Sequence, residues 1–185
     1  MYRALTLKAV NKKVDLNNQE ALVQLARRVD IQFKIQNDSL QVFLDGKDVS
    51  SAIRQQSLTE KVYYIAALKD VRQQMVKLQR RLARSAQGAV LEGRDIGTVV
   101  FPNAQYKFYL DAQPDERTRR RFKELRNMGQ AVRINQIAQD IELRDQSDMT
   151  REVAPLAKAK DAIYIDTTGL SVQNVVEKII GQCSI

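Results

Sequence analysis

The chain has 185 residues, 44% of them hydrophobic and 28% charged, which is enough for one globular domain with a real core and too apolar for a disordered chain. Lys and Arg number 30 against 22 Asp and Glu, a net charge of +8 that suits either a nucleic acid or a small phosphorylated ligand. With no histidine and one cysteine, Cys183, a histidine-based triad, a Cys/His zinc site and an intrachain disulfide are all excluded.

Residues 17–29 (NNQEALVQLARRV) place Leu22, Val23, Leu25 and Val29 at helical spacing. Residues 31–35 alternate apolar and polar, Asn37-Asp38 reads as a turn, and residues 40–44 alternate again. This predicts a hairpin with one wet face that continues into Asp45-Gly46. From Gln55 to about Leu82, apolar residues recur every three or four positions, as one long amphipathic helix or two in series would require. In the second half, Val90-Leu91, residues 106–110 (YKFYL) and residues 162–165 (AIYI) are short apolar runs, each ending at a polar or charged residue. Helical stretches lie between them, at residues 114–128, closed by Gly129, and at 133 to about 148. Pro114 followed by Asp115 and Glu116 is a helix-start signature. Strands alternating with helices predict a parallel sheet with helices on both faces, and ligands then bind beyond the carboxyl ends of the strands. No apolar run approaches the length of a membrane span and the opening residues lack a signal peptide's apolar core, so the expected setting is the cytoplasm, with no membrane partner.

Three groups of residues carry chemistry. In GRDIGTVVFP, residues 93–102, glycines 93 and 97 are expected to let the backbone turn sharply beside a ligand. Arg94 can grip a phosphate in bidentate fashion and Asp95 can accept from amino or hydroxyl groups; the competing reading is a salt bridge capping a strand. In LRDQSDMTREVAPL, residues 143–156, Arg144, Asp148 and Arg151 are spaced i, i+4, i+7, which on a helix is one face. Two guanidiniums flanking a carboxylate could hold a sugar hydroxyl and a phosphate; the competing reading is an exposed salt-bridged stripe. In ERTRRRF, the arginines at 117, 119, 120 and 121 outnumber the local acids Asp115 and Glu116, so some are expected to face a polyphosphate, with a solvated face as the alternative.

Taken in order, MYRALTLKAV, DGKDVSSAIR, VRQQMVKLQR, GRDIGTVVFP, DERTRRRF and RDQSD..REVAPL resemble the bacterial cytidylate kinases, the (d)CMP kinases of the nucleoside-monophosphate kinase group, over essentially the whole chain. The resemblance implies an α/β fold of the P-loop NTPase-like type, a three-layer α/β/α arrangement with a parallel core sheet, shortened at the amino terminus. It also implies a small CMP-binding insertion with antiparallel strands. Residues 1–85 would form the CMP-binding region, with the insertion at about 14–60. Residues 86–185 would form the remainder of the core, with a mobile lid at about 124–142. ATP, with Mg²⁺, would phosphorylate CMP or dCMP in pyrimidine nucleotide metabolism, by a monomer that binds no nucleic acid. By the same resemblance Arg3, Arg94 and Arg151 would hold the acceptor phosphate, Arg94 and Arg151 being the catalytic pair. Arg72 and Asp95 would read the cytosine, Arg144 and Asp148 would hold the sugar, and Arg117, Arg120 and Arg133 would face the ATP phosphates; no protein metal ligand is implied.

Two departures from the family pattern stand out. Tyr63 occupies a position where a serine usually helps form the base pocket. The family also opens with a strand and the loop G-x-x-x-x-G-K-[ST], whose backbone cradles phosphates, whereas the seven glycines of this chain form no such loop. Met1 coincides with an internal methionine of the pattern, which leads to the expectation of a late start or an incomplete gene, and of marginal stability for a sheet without its central strand. Two further readings are a non-catalytic binder of cytidine nucleotides and a basic nucleic-acid module. The second calls for aromatics interleaved with basic residues, and only 6% of residues are aromatic.

Overall fold

The computed structural model describes residues 1–36, 39–85 and 88–183. The expected turn at Asn37-Asp38 lies outside the described residues. Two compact units divide the chain, Met1–Ala89 and Val90–Ile185. The net charge is not shared between them. The first unit has 16 Lys and Arg against 8 Asp and Glu, and the second has 14 against 14, so the whole +8 belongs to the first.

The first unit contains α1 (Tyr2–Asn11), α2 (Gln19–Arg27), β1 (Ile31–Gln36), β2 (Ser39–Leu44), β3 (Lys47–Asp48), a 3₁₀ turn (Ala52–Arg54), α3 (Gln56–Ala66) and α4 (Lys69–Arg84). The Asn18 side chain caps α2 by accepting from the Ala21 N–H at 3.0 Å, satisfying a donor that the first helical turn leaves open. Strands β1 and β2 pair antiparallel with Ile31 opposite Leu44, Phe33 opposite Val42 and Ile35 opposite Leu40. Because side chains alternate along a strand, these six share one face, as the sequence predicts. Asp45 (φ 48°) and Gly46 (φ 80°) both adopt left-handed backbone between Leu44 and Lys47, the two-residue turn that Asp-Gly favours. The core gathers Leu5, Leu22, Ile31, Ile65, Val71 and Met75, all at or near zero exposure. The long apolar pattern from Gln55 resolves into two helices. Leu68 is extended (ψ 118°) between them, and the Arg72 Nη1–H donates to the Ala66 carbonyl at 2.9 Å, satisfying an acceptor at the end of α3.

The second unit contains a π-helical turn (Ile96–Val100), β4 (Phe108–Asp111), α5 (Pro114–Asn127), α6 (Ile134–Thr150), β5 (Ile163–Asp166) and α7 (Val172–Ile180). Strands β4 and β5 are parallel, with Phe108 opposite Ile163 and Asp111 opposite Asp166. With α5 and α6 between them in the chain, they form the crossover unit that alternating strands and helices imply. The fold is thus mixed α/β, with a parallel sheet and a small antiparallel sheet. Val90-Leu91 is a correction. No strand forms there and Val90 is fully exposed, because a strand needs a hydrogen-bonded neighbour and β4 pairs with β5 alone among the described residues. Pro114 opens α5, and Gly129 (φ 74°) follows its C-terminus in the left-handed conformation that glycine takes most readily. Among the described residues no helix is long and apolar enough to cross a membrane.

Candidate active site

In the second unit, the side chains of α6 and the turn after Gly93 form a charge cluster. Asp148 lies at its centre. It is approached by Arg94 Nε at 3.0 Å, Arg151 Nη1 at 3.2 Å and Arg144 Nε at 3.8 Å. Asp145, one turn earlier on the same face of α6, pairs with Arg117 and more distantly with Arg94 at 3.9 Å. The Arg117 Nε–H also donates to the Ala112 carbonyl at 3.1 Å, tying α5 to the end of β4. Four guanidiniums against two carboxylates leave two positive charges in excess. The Arg144 guanidinium is held below the usual arginine range, first by desolvation and then by the neighbouring Arg94 charge, while Asp148 and Asp145 pull it back.

The cluster differs in geometry from a simple helical stripe. Helix α6 ends at Thr150, and Arg151 is already extended (ψ 140°). Its guanidinium reaches Asp148 by folding back, and its Nε–H donates to the Ala154 carbonyl at 2.7 Å. Asp145 is the residue that sequence reasoning missed. Its i, i+3 spacing from Asp148 was a usable signal, since both carboxylates then lie on one helix face.

The chain bends at residues 93–95, as the glycine at 93 leads one to expect. Neither Gly93 nor Gly97 has left-handed backbone. What they provide is space, since a Cβ on Gly93 would stand 2.9 Å from Ile96 Cγ1, and one on Gly97 would stand 3.3 Å from Lys107 Cδ. Asp95 is buried and its carbonyl accepts from the Val99 and Val100 N–H groups, which holds the π-helical turn closed.

The arginines at 117, 119, 120 and 121 all have acidic partners, so their number alone gives no reason to place a polyphosphate there. Arg119 and Arg120 both pair with Glu116, at 2.8 and 2.9 Å, Arg121 with Glu124 at 2.7 Å and Arg117 with Asp145. Arg120 additionally donates to the Thr167 hydroxyl at 3.1 Å and to the Thr167 carbonyl at 2.5 Å, fastening α5 to the loop after β5. Arg133 stands exposed at the N-cap of α6 and makes no ion pair among the described residues. At the carboxyl ends of the two parallel strands, the Tyr164 hydroxyl donates to Asp111 Oδ2 at 3.0 Å, and that bond raises the Tyr164 pKa.

In the first unit, Arg3 and Arg72 both address α3. Arg3 donates through Nε to the Ile53 carbonyl, through Nη2 to the Gln55 carbonyl at 2.9 Å, and through both terminal nitrogens to Thr59 Oγ1 at 3.1 Å. Arg72 is buried, donates to the carbonyl of Ala66 and lies 5.1 Å from the centre of the Tyr2 ring, within cation–π range. A cavity of about 500 Å³ beside α2 and the start of α4, lined by Gln19, Val23, Arg27 and Leu68 among others, includes none of these arginines. Among the described residues no group of three or more acidic, histidine or cysteine side chains could hold a metal ion.

A surplus of guanidiniums on an α/β scaffold is chemistry that suits a small phosphorylated ligand. The comparisons narrow that class. The family model described as cytidylate kinase matches residues 1–184. The cytidylate kinase of Clostridioides difficile (strain 630) is 42% identical over 185 residues, all of this chain and 83% of the relative. That of Alkaliphilus oremlandii is 44% identical over 97% of this chain and 81% of its own length, and that of Caldanaerobacter subterraneus subsp. tengcongensis is 43% identical over 97% and 78%. The chain belongs to the cytidylate kinase family, enzymes of the nucleoside-monophosphate kinase type that use a nucleotide as phosphate donor.

Proposed function

We propose that this chain serves the phosphorylation of CMP and dCMP, with ATP as donor and Mg²⁺ as its accompanying ion. The observation that carries the reading is the cluster of Arg94, Arg117, Arg144 and Arg151 around Asp145 and Asp148, whose excess of two positive charges suits a phosphate dianion. In the second unit Arg94 and Arg151 hold the acceptor phosphate, Arg144 and Asp148 the sugar, and Asp95 the cytosine amino group, while Arg117, Arg120 and Arg133 meet the donor phosphates. In the first unit Arg72 offers N–H donors to the base acceptors and Arg3 meets the acceptor phosphate.

In the reaction a phosphate oxygen of CMP attacks the γ-phosphorus of ATP. The bond from that phosphorus to the β,γ-bridging oxygen breaks, and CDP and ADP form. The attacking oxygen is already ionised, so no general base is required, and the lack of histidine is no obstacle. The protein's task is positioning and charge neutralisation, which arginines perform without proton transfer. Among the described residues no group of three or more acidic, histidine or cysteine side chains forms a cage for Mg²⁺. The ion commonly arrives with several waters and on the phosphates of its nucleotide.

A second reading is favoured by one observation: the 185 residues contain no G-x-x-x-x-G-K-[ST]. On that reading the chain binds CMP without transferring a phosphoryl group. Calorimetric titration with CMP, followed by an assay for CDP with ATP and Mg²⁺, tests both readings. CDP formation that Arg151→Ala abolishes supports the kinase, and binding without turnover supports the second reading. Absence of CMP binding overturns both.

A further inference from the structure

Helix α4 divides its residues between two sides. Val71, Met75 and Leu78 are buried in the core, while Lys77, Arg80, Arg81 and Arg84 are exposed. Lys77, Arg81 and Arg84 follow i, i+4, i+7 with Arg80 beside them, so the four cations share one outward face over about 10 Å of helix. No carboxylate in the helix dilutes them: the 21 residues between Asp70 and Glu92 hold five Lys and Arg and no acid. The second unit provides the contrast. Its arginines at 117, 119, 120 and 121 each meet an acid, whereas Lys77, Arg81 and Arg84 make no ion pair among the described residues. The face also belongs to the unit that carries the whole net charge of +8.

The chemistry of this face selects its ligand. A small anion needs a concave site, and side chains splayed round the outside of a helix cannot enclose one. An anionic membrane takes up a helix by its apolar face, but that of α4 is in the core and every exposed residue of the helix is polar or charged. A phosphate polymer presents regularly spaced charges to a row of cations and can lie along a convex surface. We propose that the outward face of α4 is an accessory docking surface for a polynucleotide, held through its phosphodiester backbone. With no aromatic on the face for bases to stack on, binding is indifferent to sequence. The proposal goes beyond the kinase reading and does not depend on it, and it adds a partner that the family resemblance does not imply.

The test is fluorescence anisotropy with labelled oligouridylate and oligothymidylate of about 15 nucleotides, with and without excess CMP. Four backbone contacts give a slope of log K against log salt of about −2.8, so affinity should fall about 50-fold between about 50 and 200 mM salt. Replacing Lys77, Arg81 and Arg84 together with Gln should bring the slope to about −0.7, whereas Lys77→Arg, Arg81→Lys, Arg84→Lys keeps the charges and should match the wild type. Arg27→Gln, Lys47→Gln, Lys61→Gln removes the same charge from exposed positions elsewhere in the unit and should change the slope by less than about 0.5. All the replaced side chains are exposed, so an unchanged melting temperature separates lost docking from lost fold. The two oligonucleotides should bind to within about threefold of each other, and a preference beyond about tenfold assigns recognition to sugar or base and overturns backbone docking. Equal slopes in the wild type and the α4 Gln variant overturn the proposal, as does an equal loss in the dispersed variant. Displacement by CMP places the oligonucleotide at the nucleotide site and overturns it too. Uptake by phosphatidylserine vesicles with neither oligonucleotide bound assigns the face to lipid instead.

Discussion

Replacing Asp148 with Asn removes the charge at the centre of the arginine cluster while keeping the size of the side chain. The Arg151–Asp148 contact is the buried one, with side chains 9% and 15% exposed at 3.2 Å. Removing one partner of a buried pair costs about 3–5 kcal/mol, because the remaining charge is left without compensation. Arg94 and Arg144 are far more open, so their contacts with Asp148 add only about 0–1 kcal/mol each. The amide oxygen of Asn still accepts one N–H, which returns about 0.5–1.5 kcal/mol. The expected net loss is about 3 kcal/mol. With a urea dependence of about 1–3 kcal/mol per molar, the denaturation midpoint of the second unit should fall by about 1–3 M, read by circular dichroism. The local excess rises from two positive charges to three, so sulfate should recover more stability in the variant than in the wild type. A loss below about 1 kcal/mol at unchanged urea dependence, with no added response to sulfate, would refute the view that these arginines depend on Asp148.

Other substitutions test the scaffold. Leu5→Ala, at a fully buried position of α1, should cost about 2–5 kcal/mol in a denaturation titration. Gly93→Ala should lower stability by about 1–3 kcal/mol as Ile96 is displaced, whereas Gly88→Ala meets nothing within 4 Å and should be neutral or stabilising by up to about 1 kcal/mol. Burial acts to raise the Asp45 pKa, but the hydrogen bond from Lys8, the Asp30 N–H and the charges of Lys8 and Lys12 outweigh it and leave it below 3.8. A depressed carboxylate stabilises the native state above its unfolded value, and the contribution is lost as pH falls through the native one. Acid titration should therefore show Lys8→Met costing under about 1 kcal/mol at neutral pH, with the difference from wild type vanishing well below pH 4.

The first unit was the more legible in sequence, because its signals are local. The alternation in β1 and β2 depends on neighbouring residues, and the strands pair as expected; of their shared apolar face, however, Ile31, Val42 and Leu44 are buried while Phe33, Ile35 and Leu40 stay exposed. The break at Leu68 was harder to locate, since the apolar period runs through it without proline or glycine; its carbonyl partner, Arg72, lies six residues beyond Ala66. Val90-Leu91 misled because apolar content permits a strand but only a pairing neighbour makes one. In the charge cluster, residue types were readable but partners were not. Asp145 reaches Arg117 across 28 positions, and Glu124 takes Arg121, so two of the four arginines counted against Asp115 and Glu116 find their acids elsewhere.

The two aspartates of α6 also bear on how an anion would be received. Long side chains lose about 0.5–1.5 kcal/mol of conformational freedom each when a ligand fixes them. Arg94, Arg117, Arg144 and Arg151 are already held by Asp145 and Asp148, so roughly 2–6 kcal/mol of that ordering is incurred when the chain folds. The carboxylates serve as resident stand-ins for the ligand's own negative charge, and they keep the guanidiniums converged while no ligand is bound. Capture of a phosphate at this cluster is then an exchange of anions on a finished template.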